Sequence, residues 1–179
     1  VLTDVPHFQG DDKHMILARA AVDLPVIRKD FMVDSYQILE SRALGADCIL
    51  LIMAALSDGQ LETFYGQAVA MDMDVLVEVH NKEELARAAR LGSRLLGINN
   101  RNLKTLTVDL ETTVELAAMA PSNAILISES GLYTHQDLLG MAKVGVNCFL
   151  VGESLMRHSD VTAAVQALLG PNQYKQLSA

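Results

Sequence analysis

Short apolar runs recur along the chain, separated by more polar, helix-forming stretches. One run ends at Val1-Leu2-Thr3, and the others lie at Val26-Ile27, Cys48 to Met53, Val75 to Val79, Leu95 to Ile98, Ala124 to Ile127 and Cys148 to Val151. They stand roughly 20 to 30 residues apart, the length of one strand-plus-helix unit. Through their first halves the runs do not alternate with polar residues, which predicts parallel strands covered on both faces. Between them, Ser57-Asp58-Gly59-Gln60 and Asn81-Lys82-Glu83-Glu84 resemble capping boxes and Thr134 can cap the helix that follows it. Gly45, Gly92, Gly145 and Gly170 fall where helices should end. The pattern predicts strands and helices in alternation, as one domain over residues 1–179, with no linker, low-complexity tract or composition break.

Two architectures accept such units, an open doubly wound sheet and a closed barrel. An open sheet concentrates its chemistry at one switch point, whereas a barrel builds its site from the C-terminal ends of nearly all its strands. Polar residues follow nearly every run here: Arg28-Lys29-Asp30, Glu78 with His80, Asn99-Asn100-Arg101, Ser128-Glu129-Ser130 and Gly152-Glu153-Ser154. The expected fold class is therefore α/β, a (β/α)₈ TIM barrel, with one of its eight strands lacking. The chain opens on the end of a strand without an initiator Met, so the natural start is expected upstream.

Strand alternation sorts the polar residues into inward and outward sets. With Val77 and Val79 facing helices, Leu76, Glu78 and His80 face the barrel axis. The same reasoning turns Ile27, Lys29 and Phe31 inward, opposite Val26 and Arg28. Asn99 and Arg101 follow, as do Ile127 and Glu129. The expected mouth holds one lysine, two glutamates, an asparagine and an arginine. A structural ion-pair network, or a phase off by one, is the plainer alternative. Unpaired buried charge is costly, however, and a lysine near carboxylates in a partly dry pocket suits acid–base chemistry. His80 is read as capping the next helix or filling the rim.

Ser130-Gly131 and Gly152-Glu153-Ser154-Leu155-Met156 suggest a phosphate site. Glycine lets the backbone approach closely, and the N–H groups at a helix start favour a dianion. Barrels often place phosphate after strands seven and eight, although tight turns explain each glycine singly.

Composition narrows the partners. With 179 residues, 50% of them hydrophobic, the chain can bury one substantial core. A net charge of −8 without a Lys/Arg run argues against nucleic acid or a membrane surface, and leaves a single anionic small molecule possible, since two or three local cations suffice for that. No apolar run is long enough to span a bilayer. Cys48 and Cys148 each adjoin an apolar run and are read as reduced core residues, pointing to the cytoplasm. The histidines show no metal-ligand spacing, so no metal is expected.

Several segments together closely resemble the indole-3-glycerol phosphate synthases. They are Phe8-Gln9-Gly10, Pro25-Val26-Ile27-Arg28-Lys29-Asp30-Phe31, Val75-Leu76-Val77-Glu78-Val79-His80, Gly97-Ile98-Asn99-Asn100-Arg101-Asn102-Leu103, Ser128-Glu129-Ser130-Gly131 and Val151-Gly152-Glu153-Ser154-Leu155-Met156. The likeness runs in order and without gaps from Val1 to about Gly170. It implies closure of the indole ring of 1-(2-carboxyphenylamino)-1-deoxyribulose 5-phosphate with loss of carbon dioxide and water, and no cofactor. By the same resemblance Lys29 is the general acid at the substrate carbonyl, and Glu78 its carboxylate partner and proton acceptor. Glu129 with Asn99 would orient the lysine and substrate hydroxyls, and Arg101 would assist near the anthranilate carboxylate. Phe8, Phe31, Leu50 and Leu150 match positions that hold the aromatic ring. Backbone around Ser130, Gly131, Gly152 and Glu153 matches the phosphate cradle, with the Glu153 side chain turned away or lying favourably by a helix start.

The resemblance also implies that the family's first strand and N-terminal helix lie outside this chain. That strand carries a glutamate, a second lysine and a serine, so the dehydration half of the reaction would lack residues here. Two other functions remain open from the residues. One is another phosphate-binding barrel such as a phosphoribosylanthranilate isomerase, which would be expected to use an Asp and a Cys. The other is a catalytically silent barrel fragment.

Overall fold

The computed structural model describes residues 1–170, which fall into two compact units, Val1–Leu96 and the stretch from Gly97 onward. The single domain expected over residues 1–179 thus reaches past the described residues. The boundary between the units falls inside a strand, in keeping with the absence of any linker composition.

The first unit contains α1 (Val5–Phe8), α2 (Asp12–Ala21), β1 (Ile27–Arg28), α3 (Ser35–Ala43), β2 (Cys48–Ile52), a 3₁₀ turn (Met53–Ala55), α4 (Asp58–Ala70), β3 (Asp74–Val79) and α5 (Lys82–Leu91). At its end β4 (Leu95–Asn99) begins. β1 pairs parallel with β2, and β2 with β3. The Val1-Leu2-Thr3 run joins them through a parallel bridge between Leu2 and Lys29, where Lys29 N donates to Val1 O at 2.8 Å and Thr3 N donates to Lys29 O at 3.1 Å.

Register decides which residues share a face. Ile27 lies opposite Cys48, Leu50 opposite Leu76, and Ile52 opposite Glu78. Cross-strand partners point the same way, so Leu50, Ile52, Leu76 and Glu78 share one face while Ile49, Leu51, Val75, Val77 and Val79 share the other. The second set is buried, as are Met15, Ile38, Leu61, Phe64, Leu85 and Ala88 from α2 to α5. Each large apolar side chain removed from water in this way is worth roughly 1.5–3 kcal/mol.

Helix starts behave largely as the sequence reads. Ser57 and Gln60 form a reciprocal capping box, and so do Asp34 and Gln37. At α5 the box is altered. Asn81 accepts from Glu84 N at 2.9 Å, but the Glu84 carboxylate reaches one residue further back, to His80 N at 2.8 Å. Gly92 ends that helix at φ 76, a left-handed conformation that costs an L side chain more.

The second unit holds the rest of β4, then α6 (Glu111–Ala117), β5 (Ile125–Glu129), α7 (His135–Lys143), β6 (Cys148–Leu150), α8 (Glu153–Met156) and α9 (Val161–Leu169). β5 and β6 are parallel, with Ser128 opposite Phe149 and Glu129 opposite Leu150. Leu126, Phe149 and Val151 pack on a core of Leu132, Leu138, Met141, Val146 and Leu168. Ile127, Glu129 and Leu150 therefore belong to the opposite face. All six named strands coincide with the apolar runs.

The reading of both cysteines as core residues needs correction. Both are free thiols, but Cys48 is half-buried and Cys148 is exposed. Each is the first residue of its strand, at the end where apolar cover is thinnest, and an adjoining apolar run does not bury it. Burial still pushes the Cys48 thiol up to about 12.

Candidate active site

Strand alternation sends the adjacent cations Arg28 and Lys29 in opposite directions. Lys29 follows β1 directly, and its Nζ lies 3.2 Å from Glu78 Oε2 near the C-terminal end of β3. Glu78 is buried, and the lysine side chain is only 15% exposed. An ion pair this far from water is held by more than a passing surface attraction. The lysine–glutamate meeting expected from strand phase is thus present in the first unit.

His80 extends that pair. Its Nε2 lies 3.2 Å from Glu78 Oε1, and its Nδ1 lies 3.0 Å from Glu84 Oε2. Burial pushes the imidazole down, yet hydrogen bonds to and charges on Glu78 and Glu84 outweigh it and raise His80 to about 9. Glu84 is held below the usual carboxylate range: burial raises it, but its bonds with His80 lower it more. Sequence phase aimed His80 into the pocket, and its spacing of four from Glu84 was the missed signal of a partner.

Apolar candidates gather beside them. Phe8 stacks on Phe31 with centroids 5.0 Å apart and planes 23° apart, and His7 meets Phe31 edge-on at 5.1 Å. Asp4 makes this possible by capping α1, accepting from His7 N and Phe8 N. Leu50 is fully buried on the face that carries Glu78.

Arg28 was not anticipated as more than a helix-facing residue. It is buried among carboxylates from three segments: Glu40 at 2.9 Å, Asp12 at 3.1 Å and Asp30 at 3.2 Å. Its Nε also donates to Thr3 Oγ1 at 3.0 Å, and Thr3 in turn donates to Asp30 Oδ2 at 2.6 Å. This cluster clamps the backbone on either side of Lys29, and Asp30 Oδ1 accepts from Phe31 N at 2.8 Å.

In the second unit, Asn99 is buried and its Oδ1 accepts from Arg101 N at 3.0 Å. Glu129 is 1% exposed and shares its face with the half-buried Leu150. Ser130 and Gly131 both take left-handed backbone, at φ 66 and φ 78. Gly152 caps α8 without a side-chain bond. The Glu153 carboxylate takes Arg157 at 2.6 Å and Arg101 at 2.8 Å. The hydrogen bond from Arg157 and the charge of Arg101 hold that carboxyl below its ordinary range.

Behind this loop lies a buried amide that sequence reading passed over. Asn100 Nδ2 donates to Ser128 Oγ, Glu129 O and Ser130 O, each at 3.0 Å. Its Oδ1 accepts from Thr113 N at 3.1 Å and Thr113 Oγ1 at 2.7 Å. The backbone carrying Glu129 and Ser130 is thereby tied to α6. Among the described residues, no group of three or more His, Cys, Asp or Glu is arranged to hold a metal ion. No described helix is long and apolar enough to cross a membrane.

The family model of indole-3-glycerol phosphate synthase matches residues 1–168. The chain belongs to the indole-3-glycerol phosphate synthase family. An indole-3-glycerol phosphate synthase of Azospirillum brasilense is 66% identical over 169 residues, covering 94% of this chain and 64% of that protein. Its counterpart in Rhodospirillum rubrum is 57% identical over 171 residues, covering 95% of this chain and 65% of that protein. The chain thus spans a little under two thirds of the length of these curated synthases. Among solved structures, KGPDC from Streptococcus mutans has a TM-score of 0.72 at 15% identity, covering 94% of this chain and 83% of that one. A native KDPGal structure has a TM-score of 0.67 at 17% identity, covering 99% and 82%. At such identity the likeness shows fold alone, and that fold is the α/β barrel class, present here in part.

Proposed function

We propose that the protein acts as an indole-3-glycerol phosphate synthase, closing the indole ring of 1-(2-carboxyphenylamino)-1-deoxyribulose 5-phosphate in tryptophan biosynthesis. The pairing of Lys29 with Glu78, in a chain matched by the family from residue 1 to 168, carries the reading. Lys29 protonates the substrate carbonyl oxygen as the carbonyl carbon bonds to the aromatic ring. The ring carboxylate leaves as carbon dioxide, and the new hydroxyl then leaves as water. Glu78 partners the lysine and accepts a proton. Asn99 and Glu129 orient the lysine and the substrate hydroxyls, and Arg101 attends the anthranilate carboxylate.

Phe8, Phe31, Leu50 and Leu150 hold the aromatic ring. Main-chain N–H groups around Ser130, Gly131, Gly152 and Glu153 bind the phosphate, a role supported by the left-handed turn at Ser130-Gly131. The clasp of Arg101 and Arg157 on Glu153 supports it too, because it draws a carboxylate's charge away from a dianion. In this reading the chain is part of a single barrel domain of a soluble, cytoplasmic enzyme.

The test is turnover of the carboxyphenylamino-deoxyribulose phosphate by the protein extended to the length of its relatives. General acid catalysis is typically worth about 10²- to 10⁴-fold, so Lys29→Ala should lose activity on that scale while remaining folded. Activity within about twofold of the parent would end the assignment of Lys29. For the phosphate site, a crystal soaked in inorganic phosphate should show the ion at Ser130, Gly131 and Gly152. An ion elsewhere, with that turn empty, would reject it.

A further inference from the structure

Glu78 meets two nitrogen groups, one at each carboxylate oxygen: Lys29 Nζ at Oε2 and His80 Nε2 at Oε1, both at 3.2 Å. A carboxylate turns easily about its last torsion, which has broad, roughly two-fold wells. Two contacts on opposite oxygens stop that turn. His80 is itself fixed from behind, because Nδ1 meets Glu84 Oε2 at 3.0 Å and the same oxygen accepts from His80 N at 2.8 Å. The other Glu84 oxygen accepts from Asn81 Nδ2 at 2.7 Å. Flipping the ring would replace both nitrogens by carbons and lose both contacts.

We propose that His80, anchored by Glu84, is a positioning residue that orients Glu78 toward Lys29 for the proton transfers of the reaction. The inference rests on the reading of Lys29 and Glu78 as the acid–base pair and adds a third and fourth member behind it. Within the first unit, the charged groups facing this cluster include Lys29 beyond β1, Glu78 on β3 and Glu84 on α5, with the Val1 amino terminus acting on Lys29. A histidine raised to about 9 is cationic at neutral pH, so both ring nitrogens carry a proton and Glu78 sits between two cations. A second cation favours the ionised carboxylate. If His80 served only to cap α5, its loss would cost stability and leave the proton chemistry untouched.

The experiment compares His80→Ala, His80→Gln and Glu84→Gln with Glu78→Gln in the full-length enzyme. It reads kcat, KM, the pH profile of kcat/KM, and the Glu78 carboxyl resonance by ¹³C NMR. His80→Ala should lower kcat about 10-fold with KM nearly unchanged. The acidic limb of the profile and the Glu78 titration should both move up, by about one pH unit. His80→Gln keeps an N–H donor without the charge, so it should recover most of kcat and none of the shift. Glu84→Gln, which leaves the imidazole in place, should give a smaller change in the same direction and guards against a folding defect in the alanine variant. An unmoved acidic limb and an unmoved Glu78 titration in His80→Ala would overturn the proposal. If Glu78→Gln kept full activity, the acid–base reading would fall by itself, and the carboxyl titration would still decide whether His80 orders Glu78.

Discussion

Gly10 packs so closely on Leu2 that a Cβ built on it would lie 2.5 Å from the Leu2 carbonyl carbon and oxygen. The next neighbour, Thr3 N at 2.6 Å, is also main chain, so no side chain can swing aside. Gly10→Ala must push the Val1-Leu2-Thr3 run off Lys29, whose backbone it bonds at 2.8 and 3.1 Å. A loss of roughly 1–3 kcal/mol is expected, as for other overpacked sites. Urea unfolding followed by circular dichroism measures it, and an unchanged midpoint would refute the close approach.

Gly131 combines two obstacles that can be separated. Its φ of 78 is unfavourable for any L side chain, and a Cβ there would clash with Val108 Cγ1. Gly131→Ala should therefore destabilise by the left-handed penalty of about 1–2 kcal/mol plus the clash. Adding Val108→Ala should recover only the clash, a coupling readable in a double-mutant cycle. Strict additivity of the two changes would show that the contact is absent.

Stability should depend on pH through His80. Its folded value of about 9 lies above the ordinary 6.5, so the folded state binds the proton more tightly than the unfolded one. The contribution is fully present below about pH 6.5 and is lost as pH rises through about 9. Urea midpoints taken from about pH 6 to 9.5 should fall over that window, and in His80→Gln the fall should be absent. Equal slopes in parent and variant would assign the titration to another group.

Asn100→Ala should cost about 3 kcal/mol, because Ser128 Oγ, Thr113 N and Thr113 Oγ1 would be left in a buried setting without their amide partner. Ser128→Ala removes one partner only and should cost less. Chemical denaturation of the pair measures the difference, and a reversed order would mean that Asn100 is not the hub.

Much of the scaffold could be read from apolar spacing, because parallel strands and their caps are local matters: six of the seven runs marked strands and the first, at Val1-Leu2-Thr3, a parallel bridge, and Ser57 met Gln60 as a capping box should. The meeting of Lys29 and Glu78 was also legible, since strand phase alone aims both to one side. Arg28 was not. Its partners Asp12, Asp30 and Glu40 come from separate segments with no common period, so only the folded chain brings them together. Asn100 was hidden for the same reason, its five bonds ending on β5, the residue after it, and α6. Glu153 was read only against the phosphate and the helix start, so its capture by Arg157, one helical turn on, and by Arg101, distant in sequence, was not foreseen. Cys148 misled because an adjoining apolar run says little about cover at a strand's first residue.

The opposed pair Arg28 and Lys29 has a consequence for frame. With only Ile27 and Arg28 in regular pairing, β1 offers β2 too few apolar residues to define its alignment by hydrophobicity. Sliding by one position would carry the guanidinium toward Glu78 and strand an amine among Asp12, Asp30 and Glu40, reversing every side chain in the segment. A planar fork and a single ammonium are not interchangeable in those surroundings. The two cations thus act as a key with unlike teeth, and deleting or inserting one residue between Pro25 and Lys29 should be far more harmful than exchanging Val26 or Ile27 for another apolar residue.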